Sequence, residues 1–236
     1  MAAKNSIKQY LEDSYYHLYN RGVEKRGIFL DKQDFAVFLS YLKTYLLPKD
    51  EAHLKAILSS PNSTPAEKAL ALRDLRLKNF SQDISLLAYS LMPNHFHFLV
   101  HQTNADAIDR FLNSLATRYT IYFNKKYHRV GPLYQGVYKA VLVTTDEQLL
   151  HLSRYVHLNP LSLLSVPTDR WSDVTLPFSL PEYLGARKTP WIKPEAILNY
   201  FNKTSKNNSY SSFMGAHSTS EDAELVSPIA LDYSDS

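Results

Sequence analysis

Residues 84–102 read Ile-Ser-Leu-Leu-Ala-Tyr-Ser-Leu-Met-Pro-Asn-His-Phe-His-Phe-Leu-Val-His-Gln, and they contain two strand-like segments. Residues 84–91 and 95–102 are rich in strand-forming side chains, while Met92-Pro93-Asn94 between them favours a turn. A connection of three residues is too short for the crossover that joins parallel strands. We therefore predict that these two strands are antiparallel neighbours in one sheet.

Strand-like and helix-like patterns flank this hairpin on both sides. The mixture predicts an α+β fold, in which an antiparallel sheet has helices packed on one face. We expect Pro160 to end the last strong helix, because proline cannot donate the next helical hydrogen bond. The flanking elements are a strand at 14–20, a helix at 32–46, a helix at 105–126, a strand at 137–143 and a helix at 145–159.

The chain is predicted to form one domain with appendages. An irregular zone at about 48–80 contains Thr64-Pro65-Ala66-Glu67, which matches the start of a capped helix, so we interpret it as a helical insertion. Ser/Asn-rich composition after Thr204 predicts disorder. The expected divisions are a domain at 1–165, a C-terminal extension at 166–203 and a disordered acidic tail at 204–236.

Composition excludes several kinds of chemistry. The 236 residues include no cysteine, which removes disulfides, thiolate metal sites and cysteine nucleophiles, and favours a cytoplasmic location. Met1 to Asp13 lack the apolar run of a signal peptide, and no apolar stretch is long enough for a membrane span. The net charge is +3, and acidic residues concentrate in 201–236, so the rest of the chain is modestly basic. That distribution fits a nucleic-acid binder or an ordinary, slightly basic surface.

His95-Phe96-His97 is the first candidate for a functional site. Because side chains alternate along a strand, Phe96 and its alternate neighbours Phe98 and Val100 would face the core, and both histidines would share the other face. Two imidazoles at this spacing can bind one metal ion. The alternative is a half-exposed strand whose histidines are incidental.

The helix at 145–159 carries the second candidate. Tyr155 and Asn159 lie one turn apart on it, so an ion bound by Asn159 would be near the Tyr155 hydroxyl. The alternative is an ordinary amphipathic helix with a surface tyrosine and an asparagine near its end.

A loop rich in basic and aromatic residues precedes the strand at 137–143. Cationic side chains can follow phosphates, and aromatic rings can stack on bases, so the pattern is typical of a single-stranded nucleic-acid surface. The alternative is a solvated loop. The residues concerned are Lys125, Lys126, Tyr127, Arg129, Tyr134, Tyr138 and Lys139.

Taken in order, these segments resemble the HUH-type single-tyrosine transposases of the insertion-sequence-200-like superfamily, and in particular the REP-associated tyrosine transposase branch. The resemblance covers about residues 14–165 and is weak after Leu161, and the insertion at 48–80 is longer than the family pattern. The matching segments are Tyr19-Asn20-Arg21-Gly22, Leu91 to Val100 with the two histidines, Gly131 to Lys139, and Tyr155-Val156-His157-Leu158-Asn159-Pro160.

This resemblance implies a ferredoxin-like fold and a DNA transposase that usually works as a homodimer, cutting and rejoining single-stranded DNA, often at hairpin-containing ends. Tyr155 would be the nucleophile and form a 5′-phosphotyrosine, acting on its own chain's histidines or on those of the partner. A divalent metal, Mg²⁺ or Mn²⁺, would bind to His95, His97 and Asn159. Further DNA contacts are expected from Arg21, Lys125, Lys126, Arg129, Tyr134, Gln135 and Lys139.

Two other functions are compatible with the sequence. A metal-dependent hydrolase would use His95 and His97, with or without His101, and Tyr155 would be incidental. A DNA-hairpin-binding protein descended from a transposase would bind without cutting. No nucleotide cofactor is expected, since the chain has only six glycines and no phosphate-binding glycine loop.

Overall fold

A computed structural model describes residues 10–201 and 208–216 of the chain. This part contains one four-stranded sheet and eight α-helices. The elements are β1 Ser14–Arg21, α1 Lys32–Leu46, α2 Glu51–Ser59, α3 Pro65–Arg76, β2 Ile84–Met92, β3 His95–Gln102, α4 Ala107–Lys126, β4 Lys139–Leu142, α5 Asp146–Leu163, α6 Leu180–Tyr183, α7 Glu195–Leu198 and α8 Tyr210–Gly215.

The sheet has the strand order β2-β3-β1-β4, and every neighbouring pair is antiparallel. The hairpin predicted at 84–102 is confirmed, with Met92 paired to His95 beside the turn. β1 pairs along its whole length with β3, from Ser14 opposite Gln102 to Arg21 opposite His95. Without α2 and α3, the order β1-α1-β2-β3-α4-β4 and this sheet are the ferredoxin-like arrangement that the sequence suggested.

The first face of the sheet packs against α1 and α4. Phe96, Phe98 and Val100 of β3 lie on this face, as strand alternation predicted. Phe38 of α1 contacts both phenylalanines, with ring centroids 5.8 and 6.2 Å away. Tyr119 of α4 packs edge-on against Phe38 at 4.9 Å. These contacts form an aromatic-rich core, which we call the first cluster.

The second face of the sheet is also covered, which corrects the prediction that helices pack on one face only. Leu99 of β3 belongs to a separate core with Leu152 and Val156 of α5 and with residues from the C-terminal extension. We call this core the second cluster. Sequence patterns after Trp171 are weak, so they did not reveal that this part of the chain packs on the sheet.

The insertion forms a helical hairpin made of α2 and α3. The Thr64 side chain accepts a hydrogen bond from the Glu67 backbone N–H, and the Glu67 carboxylate accepts one from the Thr64 backbone N–H, so the predicted capping box is confirmed. Ala71 is the one buried side chain among the residues of these two helices. The hairpin therefore contributes little to either core.

Two expectations about the C-terminal half are wrong. Pro160 lies inside α5, which continues to Leu163, because Pro160 and Leu161 are buried and the packing favours the extra turn. Residues 210–215, expected to be disordered, form α8, which buries Tyr210 and Met214 in the second cluster. The remaining residues of the predicted tail, 204–207 and 217–236, lie outside the described residues. In the part of the chain that the structure covers, no helix is long and apolar enough to cross a membrane.

Candidate active site

The two histidines of the H-x-H motif lie on the second face of the sheet. His95 is paired with Arg21 of β1 and His97 with Tyr19, and side chains of paired residues project to the same face. The two imidazole rings are perpendicular, with centroids 5.0 Å apart. The structure therefore brings both histidines together as the alternation predicted.

Burial keeps both imidazoles in their neutral form. His97 is fully buried, and its pKa is lowered well below the usual value by loss of solvent, and further by His17 and His95. Burial, with a smaller contribution from the Arg21 guanidinium, lowers the pKa of His95 to about 4. Neutral imidazole is the form that binds metal ions, so at neutral pH both rings are ready to act as ligands.

Hydrogen bonding determines which nitrogen His95 presents. Its Nδ1 lies 2.6 Å from the side-chain oxygen of Asn94. An amide oxygen only accepts, so His95 must donate from Nδ1 and keeps its lone pair on Nε2. The Asn94 amide nitrogen donates to the Lys25 carbonyl at 3.2 Å, which supports this orientation of the amide.

His97 has one nitrogen with a partner and one without. Its Nδ1 lies 2.9 Å from Nε2 of His17, whereas its own Nε2 is buried and has no hydrogen-bond partner among the described residues. Ser90, the β2 residue paired with His97, has a buried hydroxyl that also lacks a partner there. Unpartnered buried polar atoms are costly, so they point to a ligand at this position.

Tyr155 of α5 completes a cluster of rings. Its ring is perpendicular to His97 at 5.5 Å and to His17 at 6.0 Å between centroids. Thr145 is the N-cap residue of α5. Leu152 and Val156, which precede and follow the half-buried Tyr155 along the helix, pack α5 against the sheet. The tyrosine thus lies beside the histidines of its own chain.

Asn159 lies half-buried one turn beyond Tyr155, but its amide is turned towards its own helix. The side-chain nitrogen donates to the Tyr155 carbonyl at 2.8 Å. Within residues 10–201 and 208–216, no hydrogen bond joins Asn159 to either histidine, and no cluster of three His, Cys, Asp or Glu side chains could hold a metal. A third ligand role for Asn159 stays a prediction.

The residues expected to contact DNA fall into two groups. Arg21 is half-buried beside His95, and its Nε donates to the exposed Gln135 at 3.2 Å. Lys139 is exposed and pairs with Tyr19 at the edge of the site, and Lys125 is exposed at the end of α4. These four side chains remain candidates for DNA contacts.

The other three differ from expectation. Tyr134 is 7% exposed and part of the first cluster, so its ring has no free face for a base. Lys126 lies 2.7 and 2.8 Å from Asp31 and Asp34, which neutralise its charge. Arg129 donates to the Asn124 side chain at 3.0 Å. Loop composition could not reveal these partners, because Asp31 and Asp34 are distant in sequence.

Sequence reasoning missed His17 and Asn94 as members of this site. Alternation along β1 places His17 on the same face as Tyr19, which is a usable signal. Its proximity to His97, however, depends on the register between β1 and β3, in which His17 is opposite Leu99. Nothing local in the sequence fixes that register.

Part of the chain is similar to a known protein family. Residues 75–159 match the family model described as Transposase IS200 like, a span that includes both histidines and Tyr155. The segment that carries the candidate site is therefore similar to IS200-like transposases. This similarity supports the DNA transposase function that the sequence motifs predicted.

The similarity of this chain to individual proteins is more distant. No curated protein matches its sequence. One similar solved structure is a REP-associated tyrosine transposase bound to a REP hairpin, with 9% identity, 81% of this chain and 98% of that chain covered, and a TM-score of 0.49. A putative transposase from Deinococcus radiodurans has 16% identity, coverage of 64% and 95%, and a TM-score of 0.27. A tRNA(His) guanylyltransferase from Saccharomyces cerevisiae has 13% identity, coverage of 99% and 85%, and a TM-score of 0.30.

Proposed function

We propose that this protein is a transposase that cuts and rejoins single-stranded DNA by transesterification, with Tyr155 as the nucleophile. The observation that carries the proposal is the contact between the Tyr155 ring and His97, whose Nε2 is buried and has no hydrogen-bond partner in the part of the chain that the structure describes. A nucleophile beside a metal ligand with an available lone pair is suited to metal-assisted phosphoryl transfer.

His95 and His97 fit a divalent cation such as Mg²⁺ or Mn²⁺. Both are neutral. Asn94 leaves Nε2 of His95 available, and Nε2 of His97 has no hydrogen-bond partner within residues 10–201 and 208–216. The Asn159 amide oxygen is the proposed third ligand. Bound there, the cation would supply Lewis-acid stabilisation of negative charge on the scissile phosphate.

Tyr155 makes and breaks the covalent bonds in this scheme. Its phenol oxygen loses a proton and attacks phosphorus, the new tyrosine–phosphate ester forms, and the bond to the 3′ oxygen breaks. The released 3′ oxygen takes up a proton, so the product is a 5′-phosphotyrosine and a free 3′-hydroxyl. Attack by a 3′-hydroxyl on the phosphotyrosine reverses the step and rejoins DNA without an external energy source.

Basic and polar side chains at the rim would hold the DNA strand. Arg21 is opposite His95 in the sheet, and its bond to Gln135 aims the guanidinium, a group suited to phosphate oxygens. Lys139 lies beside Tyr19 at the same edge. We propose that these residues bind the backbone near the scissile phosphate, and that the substrate is a single-stranded end containing a hairpin.

We further propose a homodimer in which each Tyr155 acts on its own chain's site. The ring contacts with His17 and His97 lie within one chain and support this assignment. Mixing Tyr155→Phe with His97→Ala protein tests it. Action within one chain leaves the mixture inactive, whereas exchange of tyrosines between subunits restores cleavage. Light scattering gives the oligomeric state.

The hydrolase alternative has less support. His101, its third histidine, lies 2.9 Å from Asp13 and packs against Tyr15 with the two rings tilted, at the far end of β3. The histidine pair has no neighbouring carboxylate among the described residues that would complete a hydrolytic metal site. A binding protein without catalysis would have no use for the contact between Tyr155 and His97.

The decisive experiment is a denaturing gel that detects a covalent protein–DNA adduct. The full chain is mixed with single-stranded DNA from the flanks of its gene, with Mn²⁺ or Mg²⁺. Tyr155→Phe and His97→Ala should each lower adduct formation by about a thousandfold or more, because the nucleophile or a ligand is lost. Tyr19→Phe is the matched control, and it should still form the adduct. The Tyr19 ring also lies near His97, with the two ring centroids 6.0 Å apart.

Two results would contradict the proposal. Free cleavage products that persist in Tyr155→Phe would favour the hydrolase. Hairpin binding by wild type without any cleavage or adduct, across hairpin and non-hairpin flanks, would favour the binding protein.

A further inference from the structure

His17 is a buried histidine to which the sequence motifs assign no role. It lies on β1, is fully buried, and its Nε2 is 2.9 Å from Nδ1 of His97. The two ring planes are 15° apart with centroids separated by 5.1 Å, so the rings are nearly parallel and side by side. This geometry allows a hydrogen bond in the plane of both rings.

The direction of that hydrogen bond decides what His97 can bind. If His97 donates from Nδ1, its Nε2 carries a lone pair that can act as a ligand. If His17 donates instead, Nε2 of His97 carries a hydrogen inside a buried site that offers it no acceptor among the described residues. The second arrangement buries an unsatisfied donor and blocks the ligand position.

We propose that His17 is a positioning residue that accepts the hydrogen bond from Nδ1 of His97, and so fixes the tautomer and ring plane in which Nε2 of His97 faces a divalent cation. The inference rests on the proposed function, because it assigns His17 to the same site.

His95 supports this reading by having an equivalent partner. The Asn94 oxygen lies 2.6 Å from Nδ1 of His95 and can only accept, so His95 presents Nε2. With His17 as acceptor, His97 presents the same nitrogen. Hydrogen bonds of this kind to the second nitrogen of ligating histidines orient the ring and raise its affinity for metal.

The first test measures the tautomer directly in metal-free protein. Long-range proton–nitrogen correlation spectra of the full chain distinguish a hydrogen on Nδ1 from one on Nε2, and the loss of signals in His97→Gln assigns them. The proposal expects the hydrogen of His97 on Nδ1 in wild type, and a shift towards Nε2 in His17→Phe. A wild-type His97 that carries its hydrogen on Nε2 overturns the proposal.

The second test measures Mn²⁺ affinity by electron paramagnetic resonance, without DNA. His17→Phe keeps an aromatic ring but no acceptor, and should bind Mn²⁺ roughly 10- to 100-fold more weakly. His17→Gln offers an amide oxygen near the position of the imidazole Nε2, and should restore most of the affinity. His101→Phe is the matched control on the same sheet face, bonded to Asp13 instead, and should bind as wild type does.

The outcomes separate this inference from the proposed function. Wild-type affinity in a cooperatively folded His17→Phe overturns the role of His17 and leaves the metal site intact. Absence of Mn²⁺ binding in wild type contradicts the proposed metal site itself, and the role of His17 with it. If His17→Phe does not fold, the wild-type tautomer and His17→Gln decide the question.

Discussion

The two faces of the sheet use the same four strands but bury different kinds of side chain. The first cluster is built from aromatic and aliphatic residues of α1, α4 and the strands. Most of the buried polar side chains in the described part lie on the second face or in the segments that cover it. They are His17, Ser90, His97, Ser153, Arg154, His157, Ser179 and Glu182.

This difference separates stability from chemistry in the molecule. Buried apolar rings stabilise a fold without needing specific partners, whereas buried imidazoles and hydroxyls need them. Some polar groups on the second face are satisfied, such as His157, which bonds to Tyr210 and Ser179 at 2.8 Å each. Others, such as Nε2 of His97, are not. We infer that the first face supplies rigidity against which the second can hold a reactive arrangement.

Removing a ring from the first cluster should produce the largest loss of stability. Phe38 is fully buried and contacts four other aromatic rings. Phe38→Ala should lower the free energy of unfolding by about 3–5 kcal/mol, through lost burial and a cavity. Urea denaturation measures the change. A loss below about 1 kcal/mol would contradict the view that the first face carries the stability.

Substitution of Lys126 tests the contribution of a buried carboxylate, Asp34, on the first-face side of the sheet. Asp34 is fully buried, and it accepts hydrogen bonds from Lys126, Tyr127 and Tyr122. Lys126→Ala leaves that buried carboxylate with fewer donors, and it should destabilise the fold clearly more than an ordinary surface substitution does.

Lys125 is the matched control, because it is the preceding residue and is exposed. Lys125→Ala should leave stability within about 0.5 kcal/mol and instead weaken binding of single-stranded DNA at low salt. Calorimetry and fluorescence anisotropy measure the two quantities. Equal stability losses in Lys126→Ala and Lys125→Ala would show that the contacts of Lys126 do not stabilise the fold.

The segments that cover the second face should make the stability of the protein depend on pH, through His157. Burial lowers the pKa of His157 to about 3, whereas an unfolded histidine titrates near 6.5. Below pH 6.5 the unfolded chain therefore binds a proton that the folded chain does not, so stability falls as pH falls towards 3. Between pH 7 and 5 the loss should be about 1–2 kcal/mol from this residue.

Denaturant titrations at several pH values measure how the free energy of unfolding depends on pH. His157→Gln should reduce that dependence. If the variant keeps the full dependence on pH, other groups are responsible. Most carboxyl groups titrate below pH 5, so the change in stability between pH 7 and 5 comes mainly from histidines.

Local sequence rules predicted those features that depend on neighbours along the chain. Alternation placed Phe96 and His97 on opposite faces, and helical spacing placed Tyr155 beside the core residues of α5. The same rules could not find that Asp34 neutralises Lys126, or that His17 reaches His97, since these pairs are far apart in sequence. Nor could they show that the extension and α8 cover the second face, because contacts between distant segments decide it.

The smallest effect is expected at Ser90, and it distinguishes satisfied from unsatisfied groups on the second face. The Ser90 hydroxyl is buried and has no hydrogen-bond partner among the residues that the structure describes. Ser179 is equally buried, but its hydroxyl bonds to the Tyr89 backbone N–H and to His157 at 2.8 Å each. Ser179→Ala should cost about 1–3 kcal/mol, because two partners lose their bond, while Ser90→Ala should change stability by less than about 0.5 kcal/mol or raise it. Urea denaturation of both variants makes the comparison. A loss in Ser90→Ala as large as that in Ser179→Ala would mean that Ser90 is hydrogen-bonded in solution, and the unpartnered region beside His97 would then be smaller than the geometry indicates.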